Sequence, residues 1–134
     1  MKNELDQYRK FVDGVTSDDS KYTETWLCRI RQLQGDDCDV SRLLTAAIGM
    51  ADEAGEFAGL VKKIMFHGKP YDEANTDHLK SELGDVLWYW MQGCIALGVD
   101  PVAVIEKNIS KLESRYPGGK FSINRSEIRD VGDV

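Results

Sequence analysis

Apolar residues in this chain recur at intervals of three and four over long stretches, and no segment sustains the alternation of a half-buried strand. Its three prolines, Pro70, Pro101 and Pro117, fall only where such a pattern begins or ends. Each uninterrupted run therefore presents an apolar stripe that must pair with another helix. The pattern predicts an all-α fold, a four- to five-helix bundle forming a single domain over residues 1–134, long enough to bury a core without disulfides or a structural metal. The first helix is expected over Glu4–Val15, with Leu5, Tyr8, Phe11 and Val12 on one side. A short helix over Thr23–Leu33 lies in the weakly patterned stretch 16–40, where Trp26 is expected to pack, with lining a pocket as the alternative. The second helix spans Ser41–Phe66, capped by Asp39 or Ser41, with Leu44, Ala47, Ala51, Ala54, Phe57, Ala58, Val61 and Met65 as its apolar stripe. The third spans Thr76–Leu97, burying Leu79, Leu83, Val86, Leu87, Trp90, Cys94 and Leu97, and stops at Gly98. Asp100 and Pro101 start a fourth that ends near Tyr116, and the tail 122–134 reads as polar and loose.

With 17 basic and 23 acidic residues the net charge is −6, which argues against broad binding to duplex nucleic acid. No apolar run approaches the ~18 residues of a membrane span, and MKNELDQYRK lacks the apolar core of a signal peptide. Cys28, Cys38 and Cys94 have neither CxxC spacing nor an even count, which suits free thiols in a reducing, cytoplasmic setting. They form no recognisable zinc pattern with His67 and His78.

The chemistry is concentrated in two acidic dyads, Glu53 with Glu56 on the second helix and Glu82 with Asp85 on the third. Residues three apart differ by about 60° around a helix, so each dyad shares a face. The 25 residues between Glu56 and Glu82 allow an antiparallel hairpin that brings both dyads to one level. Carboxylates so gathered repel, and Mg²⁺ or Mn²⁺, which prefer hard oxygen ligands, would relieve that repulsion. A di-iron bundle would need Glu-x-x-His, whereas the third residue on is Glu56 in one dyad and Asp85 in the other. Gly49, Gly55, Gly59 and Gly84 flank the dyads, and helix-interior glycine suggests close backbone approach. Tyr89, one turn after Asp85, faces the same way as that dyad. His78, one turn before Glu82, reads as a surface residue at the helix start or as part of the site's rim.

The segments GMADEAGEFAGLVKK, SELGDVLWYW and KNISKLESRYPGGKFS resemble the MazG-like members of the all-α nucleoside triphosphate pyrophosphohydrolase superfamily, over roughly residues 41–121. The family pattern, E-E-x-x-E, a spacer and E-x-x-D, is matched by Glu53, Glu56, Glu82 and Asp85, with Asp52 where the family has its first Glu. The resemblance implies Mg²⁺-dependent cleavage of a nucleoside triphosphate between the α- and β-phosphates, giving a monophosphate and pyrophosphate, with Mn²⁺ as a substitute metal. Glu53, Glu56, Glu82 and Asp85 are then metal ligands, and Glu53 or Glu56 accepts the proton of the attacking water. Lys63 would contact phosphate or pair with the carboxylates, and Tyr89 would stack on a base or sugar or hydrogen-bond the nucleotide. Asn108 and Lys111 match a family Asn and Lys, and Arg115 either holds phosphate or compensates the helix end. The resemblance also implies a homodimer or homotetramer. Rival readings are a dUTPase/dUDPase-like or phosphoribosyl-ATP pyrophosphohydrolase branch, and a non-catalytic helical oligomerisation module.

Overall fold

The structure, a computed structural model, describes residues 2–127. Seven helices occur in it and no strand among the described residues, in agreement with the all-α expectation. The chain divides into two compact units, Met1–Ser41 and Arg42–Val134.

The first unit holds α1 (Lys2–Val15), α2 (Asp18–Lys21) and α3 (Thr23–Gly35). Helix α2, a single turn absent from the sequence reading, is joined to α3 through Thr25, whose hydroxyl donates to the Asp18 and Tyr22 carbonyls, each at 2.8 Å. Lys21 Nζ donates to the Asp13 carbonyl at 3.1 Å and so anchors the turn to the end of α1. The expected stripe Leu5, Tyr8, Phe11 and Val12 stands exposed, as does Trp26, which was expected to pack. Neither α2 nor α3 contains a buried residue.

The second unit holds α4 (Val40–Phe66), α5 (Glu73–Ala96), α6 (Pro101–Arg115) and the short α7 (Ile123–Glu127). Helix α5 starts three residues before the expected Thr76 because Asp72 caps it, accepting from the Asn75 amide at 2.9 Å. Gly98, at φ 62°, ends it: Gly98 N donates to the Ile95 carbonyl and Val99 N to the Cys94 carbonyl, each at 3.1 Å. Asp100 then caps α6 through the Val102 amide at 2.9 Å, with Pro101 in the first turn, as the sequence indicates. Part of the tail expected to be loose forms α7; residues 128–134 lie outside the described residues.

Helices α4 and α5 run antiparallel. Arg42 Nη1, near the start of α4, donates to Gln92 Oε1 near the end of α5 at 3.1 Å. Gly93 faces Ala46, and Gly49 lies under the Tyr89 ring. The α4 face turned to α5 therefore runs through Ala46, Gly49 and Glu53, about 100° around the helix from Ala47 and Ala54 of the apolar stripe read in the sequence. Of that stripe only Phe57 and Val61 are half-buried; Leu44, Ala47, Ala51, Ala54, Ala58 and Met65 are exposed. On α5, Cys94 is buried and Leu79, Val86 and Trp90 half-buried, but Leu83, Leu87 and Leu97 are exposed. The small residues Ala46, Gly49 and Gly93 line the seam where the helices meet, and much of each bulky stripe, Leu44, Met65, Leu83 and Leu87 among it, turns outward.

The glycines behave differently from one another. A Cβ at Gly49 would fall within the Tyr89 ring, whereas one at Gly55, Gly59 or Gly84 meets nothing within 4 Å, so close approach within the chain accounts for Gly49 alone of the four. Gly49→Ala is accordingly expected to destabilise the protein by about 1–3 kcal/mol, read from its urea midpoint. Adding Tyr89→Ala removes the clash, and the double variant should lose less than the two single losses together.

Candidate metal centre

Glu53 on α4 and Glu82 and Asp85 on α5 each offer a carboxylate oxygen to one cluster, these oxygens all lying within 4.8 Å of one another. Glu53 is half-buried, Glu82 buried and Asp85 exposed. The seam described above produces the grouping, since the register that seats Tyr89 on Gly49 brings Asp85, one turn earlier on α5, beside Glu53, one turn later on α4.

The Glu53 carboxyl is held above its ordinary pKa of 4.5, first by loss of solvent and then by the negative charges of Asp85, Glu56, Glu82 and Asp52. Glu82 accepts a hydrogen bond from its own helix, His78 Nε2 donating to Glu82 Oε1 at 2.7 Å. Sequence reasoning left His78 undecided between surface and rim; the signal that could have found this contact was its i, i+4 spacing to Glu82.

Three hard oxygen donors fit a divalent cation such as Mg²⁺ or Mn²⁺. An ion bonded at about 2.1 Å spans oxygens up to about 4.2 Å apart, so small side-chain torsions separate this group from ligation. The charges that raise the Glu53 pKa are all carboxylates, which is the electrostatic condition a cation would relieve.

Glu56, exposed and one turn beyond Glu53, stands outside the group of three, although its charge acts on Glu53. Lys63 is exposed in the last turn of α4, about 15 Å along the axis from Glu53, and its carbonyl accepts from the His67 and Lys69 amides at 3.0 and 3.1 Å. Tyr89 is half-buried; besides its contact with Gly49 it meets Trp88 edge-on, with ring centroids 4.7 Å apart. On α6, Asn108 and Lys111 are exposed and Arg115 is half-buried, its carbonyl accepting from Arg125 Nη1 at 3.4 Å.

A family model of the MazG nucleotide pyrophosphohydrolase domain matches residues 42–119. The chain belongs to this family. The match begins where the second structural unit begins and takes in α5, α6 and nearly all of α4, so the MazG region contains the whole carboxylate cluster. The chain is also similar to the Gene 37 protein of Mycobacterium phage L5, at 40% identity over 85 residues, which is 62% of this chain and 75% of the phage protein. No solved structure matches significantly. Among the described residues no helix is long and apolar enough to cross a membrane.

The raised pKa of Glu53 carries a sign. Its proton is held more tightly in the folded chain than in the unfolded one, so stability falls as pH rises from the ordinary Glu value through the higher folded value. In metal-free protein, Glu53→Gln is therefore expected to raise Tm at neutral pH, with the gain disappearing below about pH 4. Thermal melts in the presence of a chelator check this; a variant melting below wild type at neutral pH would contradict it.

Proposed function

We propose that this MazG-family chain hydrolyses nucleoside triphosphates, canonical or modified, between the α- and β-phosphates, releasing a nucleoside monophosphate and pyrophosphate. The observation that carries the reading is the meeting of Glu53, Glu82 and Asp85 between α4 and α5, inside the region that matches the family. Glu53, Glu82 and Asp85, with Glu56 beside them, would hold Mg²⁺ or Mn²⁺, and the bound metal supplies positive charge against the phosphate oxygens. Water attacks the phosphorus in line and pyrophosphate leaves. We assign the proton of that water to Glu53 or Glu56. The raised proton affinity of Glu53 supports the first, and the position of Glu56 outside the group of three supports the second. Lys63, Lys111 and Arg115 are assigned to phosphate, and Asn108 and Tyr89 to sugar or base; Tyr89 has part of its ring taken up by α4. Three free cysteines, one of them exposed, support a reducing cytoplasmic location.

We also propose that the protein works as a homodimer or homotetramer. Leu44, Ile48 and Met65 on α4 and Leu83, Leu87 and Ile95 on α5 are exposed, two of them at 67% (Ile48) and 59% (Leu87). Gly55 and Gly84 lie on the same two outward faces with open space before them, which suits the close approach of another helix. Light scattering is expected to give a multiple of 15.1 kDa, and Leu87→Glu to shift it toward the monomer; a wild-type mass of one chain at working concentration would overturn the assembly.

Pyrophosphate release from a panel of nucleoside tri- and diphosphates and phosphoribosyl nucleotides, with and without Mg²⁺, tests the reaction. Asp85→Asn is expected to lower the rate by about 100-fold or more. Of Glu53→Gln and Glu56→Gln, the one that loses turnover while still binding Mn²⁺ identifies the base. Preference for a diphosphate or a phosphoribosyl substrate would move the chain to another branch of the superfamily. Absence of metal-dependent release across the panel would leave a helical assembly module as the better reading.

A further inference from the structure

His78 and Glu82 lie one turn apart on α5, and their 2.7 Å hydrogen bond joins a side chain that is 56% exposed to one that is 7% exposed. The pyrophosphohydrolase reading makes no use of His78. We infer that His78 is a positioning residue, fixing the Glu82 carboxylate within the cluster before a divalent ion arrives. Glu82 is the buried member of a trio of like charges, and an unpinned carboxylate there would swing away from Glu53 and Asp85. A donor from its own helix opposes that swing and leaves a second carboxylate oxygen for ligation. The inference rests on the metal reading of the site.

The test is calorimetric titration of Mn²⁺ into the full-length, metal-free chain, compared among wild type, His78→Ala, His78→Gln and Lys80→Ala. Lys80 provides the control because it too makes an exposed side-chain ion pair on α5, with Asp77 at 2.7 Å. His78→Ala is expected to weaken Mn²⁺ binding about 10-fold. His78→Gln, whose amide keeps a donor, should recover most of the loss, and Lys80→Ala should bind as wild type does. In turnover, the Mn²⁺ concentration for half-activation should rise in His78→Ala, with kcat at saturating metal preserved. Wild-type affinity in His78→Ala, or an equal loss in Lys80→Ala, overturns the role given to His78 and leaves the metal reading standing. A wild-type chain that binds no Mn²⁺ overturns both.

Discussion

Repulsion among Glu53, Glu82 and Asp85 is the constraint against which the seam between α4 and α5 is built. Two helices that meet through Ala46, Gly49 and Gly93 approach closely, and that closeness fixes the register that gathers the carboxylates. The packing does not remove the electrostatic conflict. It leaves Glu53 holding its proton more tightly than an ordinary glutamate does, and Glu82 dependent on His78 for a donor. In this part of the seam the acidic groups are held together at the cost of mutual repulsion, which the raised proton affinity of Glu53 records.

Much of the fold could be read from local signals. The stop at Gly98, the Asp100 cap and the Pro101 start are where the sequence puts them, because each depends on one residue's backbone preference. The beginning of α5 was less legible, since Asp72 as cap competes with a polar loop reading of the same residues. The packed face of α4, and in part that of α5, departs from the apolar pattern for a different reason. Both helices carry apolar residues on more than one face, so periodicity alone does not say which face pairs within the chain. The larger side chains pointed to one stripe; the contact follows the smaller ones and the acids.

The same physics limits what spacing reveals about the site. Residues three apart share a face, which is enough to associate Glu82 with Asp85, but not enough to bring Glu56 into the group that Glu53 joins. One helical turn is about 5 Å, comparable to the span of the cluster itself. The part played by His78 was present in the sequence as an i, i+4 spacing and became specific only once Glu82 was seen to be buried. The first unit had less to offer: α1 carries its apolar residues on an exposed side, and the family match starts after this unit ends.

The joint between α5 and α6 is short. Left-handed Gly98 and the two amide bonds that close α5 hold the chain before Val99, and the Asp100 cap and Pro101 hold it after. The two amide bonds belong to α5 and the Asp100 cap to α6, so rotation about the Val99 backbone leaves all three intact. Any swing of α6, and with it of the stretch that carries Asn108, Lys111 and Arg115, is thus concentrated in the backbone around Val99.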